Sequence, residues 1–292
     1  MVCFVILHYM AVDETKLCVN SILNNVNGEK KIIVVDNASP NKTFNDLQKE
    51  YKDTSDVVVI ESKENLGFAK GNNLGYKYAV EYFNPEFIVV MNNDMEIKQQ
   101  DFIEEIDKSF SEYNYYIMGP DIYSTKKKYH QNPQTRKVPN KEELKKLYRK
   151  FWIKDKLRFV IALKWKLNEL RGKTEEDDDR SNVEYVEEVR VNPLLHGSCY
   201  VFSKLFIEKY KDKCFYDKTF MYMEAEILYY QALRNNEKMI YYPNLKIEHH
   251  EDVSTDATFK KQYKKSIFSV KCLLQSYKAF LELIELNEHN EK

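Results

Sequence analysis

The sequence predicts an α/β protein with a mostly parallel central sheet flanked by helices, and three observations predict it. Short apolar runs alternate with helix-periodic stretches over the first 120 residues. Two of those runs close on Asp and Asn, as Val34-Val35-Asp36-Asn37-Ala38-Ser39 and Val89-Val90-Met91-Asn92-Asn93-Asp94. Between them lies Asn65-Leu66-Gly67-Phe68-Ala69-Lys70-Gly71-Asn72-Asn73-Leu74-Gly75, with three of the chain's 7 glycines spaced four apart. In a parallel sheet ligands bind beyond the carboxyl ends of the strands, which is where Asp36 and Asn92–Asp94 fall.

Taken in order, Val2–Leu7 is a continuous apolar run, as expected of a strand buried on both faces. Asp13 is placed to cap a helix on which Leu17, Cys18, Ser21 and Ile22 share one side. Ile32–Val35, Val57–Ile60 and Phe87–Met91 read as the next three strands, with a helix over Gly67–Phe83. On that helix the three glycines lie on one face. Each costs roughly 1 kcal/mol against Ala, so a close approach must offset it, by a neighbouring backbone or by a ligand. The acidic and amide residues on either side favour a ligand pocket.

From Lys141 to Lys173 there are 12 Lys/Arg against 4 Asp/Glu, interleaved with Leu147, Tyr148, Phe151, Trp152, Phe159, Val160, Leu163 and Trp165. The acidic run Glu175–Asp179 follows. This stretch reads as one or two amphipathic helices inserted in the domain. It is either a solvated charged face packed on the core or a contact for an anionic membrane. Strands resume at Glu188–Val191 and Cys199–Phe202. Phe220–Glu226 opens a helix running to about Asn235, and Met239–Tyr242 and Leu245–Ile247 are short strands joined by a Pro243-Asn244 turn. A long C-terminal helix covers about Thr258 to Leu286. The organisation is therefore 1–125, an insert at 126–187, a second half at 188–256, and a C-terminal helix at 257–292.

A formal net charge of -1 gives no reason to expect nucleic acid. The five cysteines show no CxxC or zinc-like spacing, so they read as reduced, in a cytoplasmic protein. The opening run lacks a signal peptide's layout, and no apolar stretch reaches the ~18 residues of a membrane span.

Asn92 and Asp94 lie on the same side of a strand end and offer oxygen ligands to Mg²⁺ or Mn²⁺; an Asx turn accounts for the same letters. Asp36 is either turn chemistry or an acceptor for a nucleobase or ribose. Asn65 caps the helix or donates to a ligand, and Lys70 reaches a phosphate or solvent.

Together these segments resemble the nucleotide-sugar-binding half of family 2 glycosyltransferases of the GT-A fold, in the bacterial rhamnosyltransferase and capsular-polysaccharide branch. The likeness extends to Gly119-Pro120-Asp121, His196-Gly197-Ser198, Phe220–Glu226, Tyr242-Pro243, His249 and Ser254-Thr255. It covers roughly 1–125 and 190–256.

The resemblance implies that Asp36, with Asn37, holds the donor's base or ribose. Asn65, Gly67, Lys70, Gly71 and Asn72 would line the nucleotide pocket beside Asn92 and Asn93. Asp94 would bind Mn²⁺ or Mg²⁺ at the donor diphosphate, with His249 a further metal or diphosphate contact and His196, Gly197 and Ser198 on the acceptor side. The family's paired acids fall here on Glu224-Ala225, with Glu226 next. Because Ala225 carries no carboxyl, the catalytic base would be Glu224, with Glu226 a near rival; an ordinary pair of first-turn acids is the other reading.

The implied activity is inverting transfer of a sugar from a nucleoside-diphosphate donor to a hydroxyl of a lipid-linked glycan in surface or capsular polysaccharide synthesis. The protein would be cytoplasmic and peripheral at the membrane through 141–173. A non-catalytic donor-binding module that lost its base is the alternative. A sugar nucleotidyltransferase fits less well, since His8-Tyr9-Met10-Ala11-Val12 lacks a basic, Gly-rich loop.

Overall fold

The computed structural model describes residues 1–158, 160, 163, 184–251 and 262–290. Phe159, Trp165, the acidic run 175–179 and Ser254-Thr255 lie outside the described residues. The first half runs β1 (Val2–His8), α1 (Val12–Asn25), β2 (Lys30–Asp36), α2 (Thr43–Tyr51), β3 (Val57–Glu61), α3 (Gly67–Phe83) and β4 (Phe87–Asn92). There follow β5 (Met95–Glu96), α4 (Phe102–Tyr113), β6 (Ile117–Ser124), α5 (Lys141–Lys156) and β7 (Arg190–Val191). The chain continues through β8 (Cys199–Ser203), α6 (Lys204–Lys209), α7 (Glu224–Arg234), β9 (Met239–His249) and α8 (Gln262–His289).

All these strands join one sheet in the order β3-β2-β1-β4-β8-β6-β9-β5, with β7 on β9. The parallel expectation holds for β1 to β4. It gives way in the second half, where β8 runs antiparallel to β4 and β6, and β5 and β7 run antiparallel to β9. Successive residues of β1 face opposite sides. Val2, Phe4 and Ile6 pack with α1, α2 and α4, whereas Cys3 and Val5 pack with α3, α6 and α7. A third apolar cluster joins Leu144 of α5, Ile227 of α7, and Tyr277 and Phe280 of α8.

Local details differ from the sequence reading for identifiable reasons. Ala11 stands at the N-cap of α1 without a side-chain bond, and Asp13 lies in the first turn, where the helix dipole favours an acid. Pro243-Asn244 is not a turn. Pro120 pairs with Tyr242 and Asp121 with Lys246, so the intervening residues bulge out of one continuous strand. α7 begins at Glu224, because Tyr222 and Met223 take positive φ of 74° and 70°.

The glycine stripe answers to protein rather than to an open pocket. A Cβ on Gly75 would come within 2.5 Å of Val5 and 2.7 Å of Val35, and one on Gly71 within 2.6 Å of Leu7. Gly67, at φ +74°, would drive a Cβ into the carbonyl of Phe220, which accepts the Phe68 N–H at 2.7 Å. The stripe lets α3 lie directly on β1, β2 and the loop before α7.

Candidate active site

Strand register builds the site. His8 stands beside Asp36 and Leu7 beside Asn92, so three carboxyl ends meet at one edge of the sheet. Because β8 is antiparallel to β4, its amino end reaches the same edge, where Asn92 N–H donates to the Ser198 carbonyl at 2.8 Å.

Asp36 is fully buried. Its Oδ1 accepts the Ser39 N–H at 2.7 Å, while Oδ2 has no hydrogen bond and lies 3.5 Å from His8 Nε2. Burial raises the Asp36 pKa, partly offset by its bonds to Ser39 and Ala38. A cleft of about 410 Å³ lined by Ala38, Ser39, Glu61, Ser62 and Lys63 adjoins this turn.

Asn37 is a brace. Its Oδ1 accepts the Leu66 N–H at 2.8 Å, and its Nδ2 donates to the Gly67 carbonyl at 3.1 Å and to Asn65 Oδ1 at 3.2 Å. Asn65 Oδ1 also accepts the Gly67 N–H at 3.0 Å. Lys70 is exposed. Asn72 is buried, donates to the Phe68 carbonyl at 3.0 Å and keeps Oδ1 without a partner. Asn73 pins the 214–215 segment by accepting the backbone N–H groups of Cys214 at 3.0 Å and Phe215 at 2.9 Å.

At the end of β4, Asn92 is half-buried. Asn93 Nδ2 donates to Thr15 Oγ1 at 2.9 Å, and Thr15 in turn contacts His8 Nδ1 at 2.7 Å. That bond ties Asn93, an expected donor contact, to α1. Asp94 is buried, and its Oδ1 has no hydrogen bond although His249 Nε2 stands 3.2 Å away. A carboxylate oxygen and an imidazole nitrogen are ordinary ligands of Mn²⁺ or Mg²⁺. Two cis ligands of one ion at about 2.1 Å stand roughly 3 Å apart, so this pair fits a shared cation. Among the described residues no third His, Cys, Asp or Glu joins them, so substrate or water oxygens would complete the sphere.

His196 packs edge-on to His249 with ring centroids 6.0 Å apart, and its Nδ1 meets Ser198 Oγ at 2.7 Å. Burial above all, with the nearby charge of Arg136, pushes its pKa down to about 3, so it is neutral in the fold. A Cβ on Gly197 would meet nothing within 4 Å.

The carboxylates of α7 differ sharply. Glu226 is paired with Arg136, Oε1 to Nη2 at 2.9 Å. Glu224 is buried with Oε1 unpartnered, and its pKa is pushed up to about 7, first by burial and further by the charge of Glu226, against the pull of Thr219 and backbone N–H groups. Arg136, Thr219, Gln131 and the His8–Thr15–Asn93 chain were not legible in sequence.

A model for glycosyl transferase family 2 matches residues 3–165, more than half of the chain. The low-salt glycan biosynthesis hexosyltransferase Agl10 of Haloferax volcanii is 29% identical over 118 residues, covering 40% of this chain and 35% of its own length. The chain thus spans about a third of that relative. Among solved structures, S. aureus TarS 1–349 in complex with UDP-GlcNAc superposes with a TM-score of 0.53 at 13% identity, over 94% of this chain and 65% of that one. GalNAc-T7 with UDP, GalNAc and Mn²⁺ gives 0.57 at 11% identity, over 87% and 43%. At such identities the two structures establish a shared GT-A-like fold. The family model, sheet order and strand-end residues agree: this chain belongs to glycosyl transferase family 2.

Proposed function

We propose that the protein is an inverting glycosyltransferase moving a sugar from a nucleoside-diphosphate donor to a hydroxyl of a lipid-linked glycan, in the assembly of a surface or capsular polysaccharide. The observation that carries this reading is Glu224, a buried carboxyl with one oxygen unpartnered and a pKa near neutrality. A general base works best when its pKa lies near the operating pH. Glu224 takes the proton of the acceptor hydroxyl as that oxygen attacks the anomeric carbon. The bond from that carbon to the diphosphate breaks, and the diphosphate leaves with the electron pair.

The residues at the ends of β2, β3 and β4 supply the donor side, and TarS and GalNAc-T7, described with UDP-GlcNAc and UDP respectively, support a nucleotide ligand there. Asp36 and the adjoining cleft take the base and ribose, with Asn72 Oδ1 and Asn92 as further contacts. A divalent cation held by Asp94 and His249 would, when bound, neutralise charge on the leaving diphosphate. His196, neutral and fixed by Ser198, borders the acceptor side.

Calorimetric titration with UDP, dTDP and GDP, each with and without Mn²⁺, tests this reading. Metal-dependent binding of one nucleotide, lost in Asp94→Ala, is expected. Absence of binding by all three, in folded protein, would sink it. Loss of transfer in Glu224→Gln with nucleotide binding intact separates an enzyme from a binding module.

The membrane contact belongs to the same proposal. No described helix is long and apolar enough to cross a bilayer. Yet Trp152, Ile153, Leu157, Val160 and Leu163 are 48–62% exposed, among Lys150, Lys154, Lys156 and Arg158. Apolar side chains interleaved with cations suit an anionic lipid surface. Binding to phosphatidylglycerol vesicles that falls in the quadruple Ala variant of Lys145, Lys146, Arg149 and Lys150 is the expected result; binding unchanged by it, or none by the parent, overturns this part.

A further inference from the structure

Gln131, in the loop after β6, and Glu251, just past β9, meet behind His249. Gln131 Nε2 donates to Glu251 Oε1 at 2.5 Å, and Gln131 Oε1 stands 2.7 Å from His249 Nδ1. Lys127 Nζ lies 3.4 Å from the other oxygen of Glu251. Glu251 is buried and holds a left-handed backbone, φ 58°, which a residue with a Cβ adopts at an energetic cost.

With His249 neutral, as a metal ligand must be, this chain of contacts admits one arrangement of hydrogens. A carboxylate only accepts, so the Gln131 amide must present its NH₂ to Glu251 and its oxygen to His249. An amide oxygen also only accepts, so His249 Nδ1 carries the proton. In that tautomer Nε2 bears a lone pair, and it faces Asp94 Oδ1, an oxygen with no hydrogen bond, at 3.2 Å. Two lone pairs buried that close repel unless a cation lies between them. Outer-shell groups that orient a ligating imidazole in this way raise metal affinity as well as fixing geometry.

We infer that Gln131 and Glu251 are positioning residues of a divalent-cation site. Gln131 fixes the tautomer of His249, and Glu251 fixes Gln131, so that Nε2 and Asp94 Oδ1 are offered together to one Mn²⁺ or Mg²⁺. The inference rests on the metal proposed above for the donor site, but it concerns residues to which that reading gives no role.

Mn²⁺ binding by the full chain, followed through the electron paramagnetic resonance signal of free Mn²⁺ with and without UDP, is the test. Gln131→Leu and Glu251→Leu are expected to weaken Mn²⁺ about 10- to 100-fold. Glu251→Gln, whose amide oxygen still accepts from Gln131, is expected to retain most of the affinity. UDP binding at saturating Mn²⁺, read by calorimetry, should be retained in all three. Its absence from the parent would count against the donor pocket and not against the outer shell. Imidazole nitrogen–proton correlation spectra of metal-free protein give a second readout, in which His249 is expected protonated at Nδ1 alone in the parent and to lose that preference in Gln131→Leu. Mn²⁺ affinity unchanged in both Leu variants would overturn the inference. So would a parent that binds no Mn²⁺ even with UDP.

Discussion

Arg136 Nη2 stands 2.9 Å from Glu226 Oε1, while Glu224, on the same helix turn, keeps its Oε1 without a hydrogen bond. The guanidinium thereby separates Glu224, the base that sequence favoured, from its near rival Glu226. Under the proposed mechanism Glu224→Gln should lower kcat by about 10²- to 10⁴-fold. Glu226→Gln, which removes an ion pair rather than the base, should lower it by no more than about tenfold. Equal losses in steady-state assays would overturn the assignment. With the Glu224 pKa at about 7, kcat/KM should fall as pH drops below neutrality, because the base becomes protonated.

The same carboxyl should cost stability. Its folded pKa lies above the ordinary 4.5, so the folded state binds the proton more tightly than the unfolded chain does. Its contribution to stability is therefore fully present below about pH 4.5 and is lost as pH rises through 7. Glu224→Gln abolishes that decline. Urea denaturation should show the variant more stable than the parent at pH 8, by up to about 3 kcal/mol, and little different near pH 5.

His8 predicts the opposite slope. Burial lowers its pKa to about 4, and His196 falls to about 3. Each contributes stability that is fully present above about 6.5 and is lost as pH falls toward the folded value. Between about pH 4.5 and 6 each His should add roughly 1.4 kcal/mol per pH unit to the slope of unfolding free energy. In His8→Asn that slope should be shallower by about this amount, whatever the change in absolute stability.

Much of this molecule was open to sequence reasoning because strand ends declare themselves: Asp36, Asn92 and Asp94 close apolar runs and do lie at one sheet edge. The glycine spacing was equally visible, but what approached it was not, since Val5, Val35 and Phe220 come from three other segments. Arg136, Gln131 and Glu251 lie in aperiodic stretches whose positions are set by tertiary packing, so no local pattern marks them. Asn93 shows the same limit: its neighbours in the chain pointed to a ligand, while its bond to Thr15, 78 residues away, is a tertiary contact.

Gly67 couples fold to chemistry through the loop that leads to Glu224. An Ala there meets both a positive φ and the Phe220 carbonyl. Gly67→Ala should therefore lose at least about 2 kcal/mol in chemical denaturation, with a drop in kcat as residues 220–223 shift. Gly197→Ala, with open space at the Cβ, should stay within about 0.5 kcal/mol of the parent.

The C-terminal helix α8 holds that same loop from its other side. Ser276 Oγ donates to the Met221 carbonyl at 3.0 Å, Tyr222 meets Ser269 at 3.0 Å, and Phe220 packs edge-on to Phe268. These contacts frame Tyr222 and Met223, whose left-handed backbones set where Glu224 begins α7. Ser276→Ala removes one buried bond and leaves a carbonyl without its partner, a loss of about 1–2 kcal/mol. If α8 serves to place the base, that variant should lower kcat while leaving KM for the donor near the parent value, since the donor residues lie on β2, α3 and β4. A proportional rise in donor KM instead would mean that α8 supports the whole fold and not the loop.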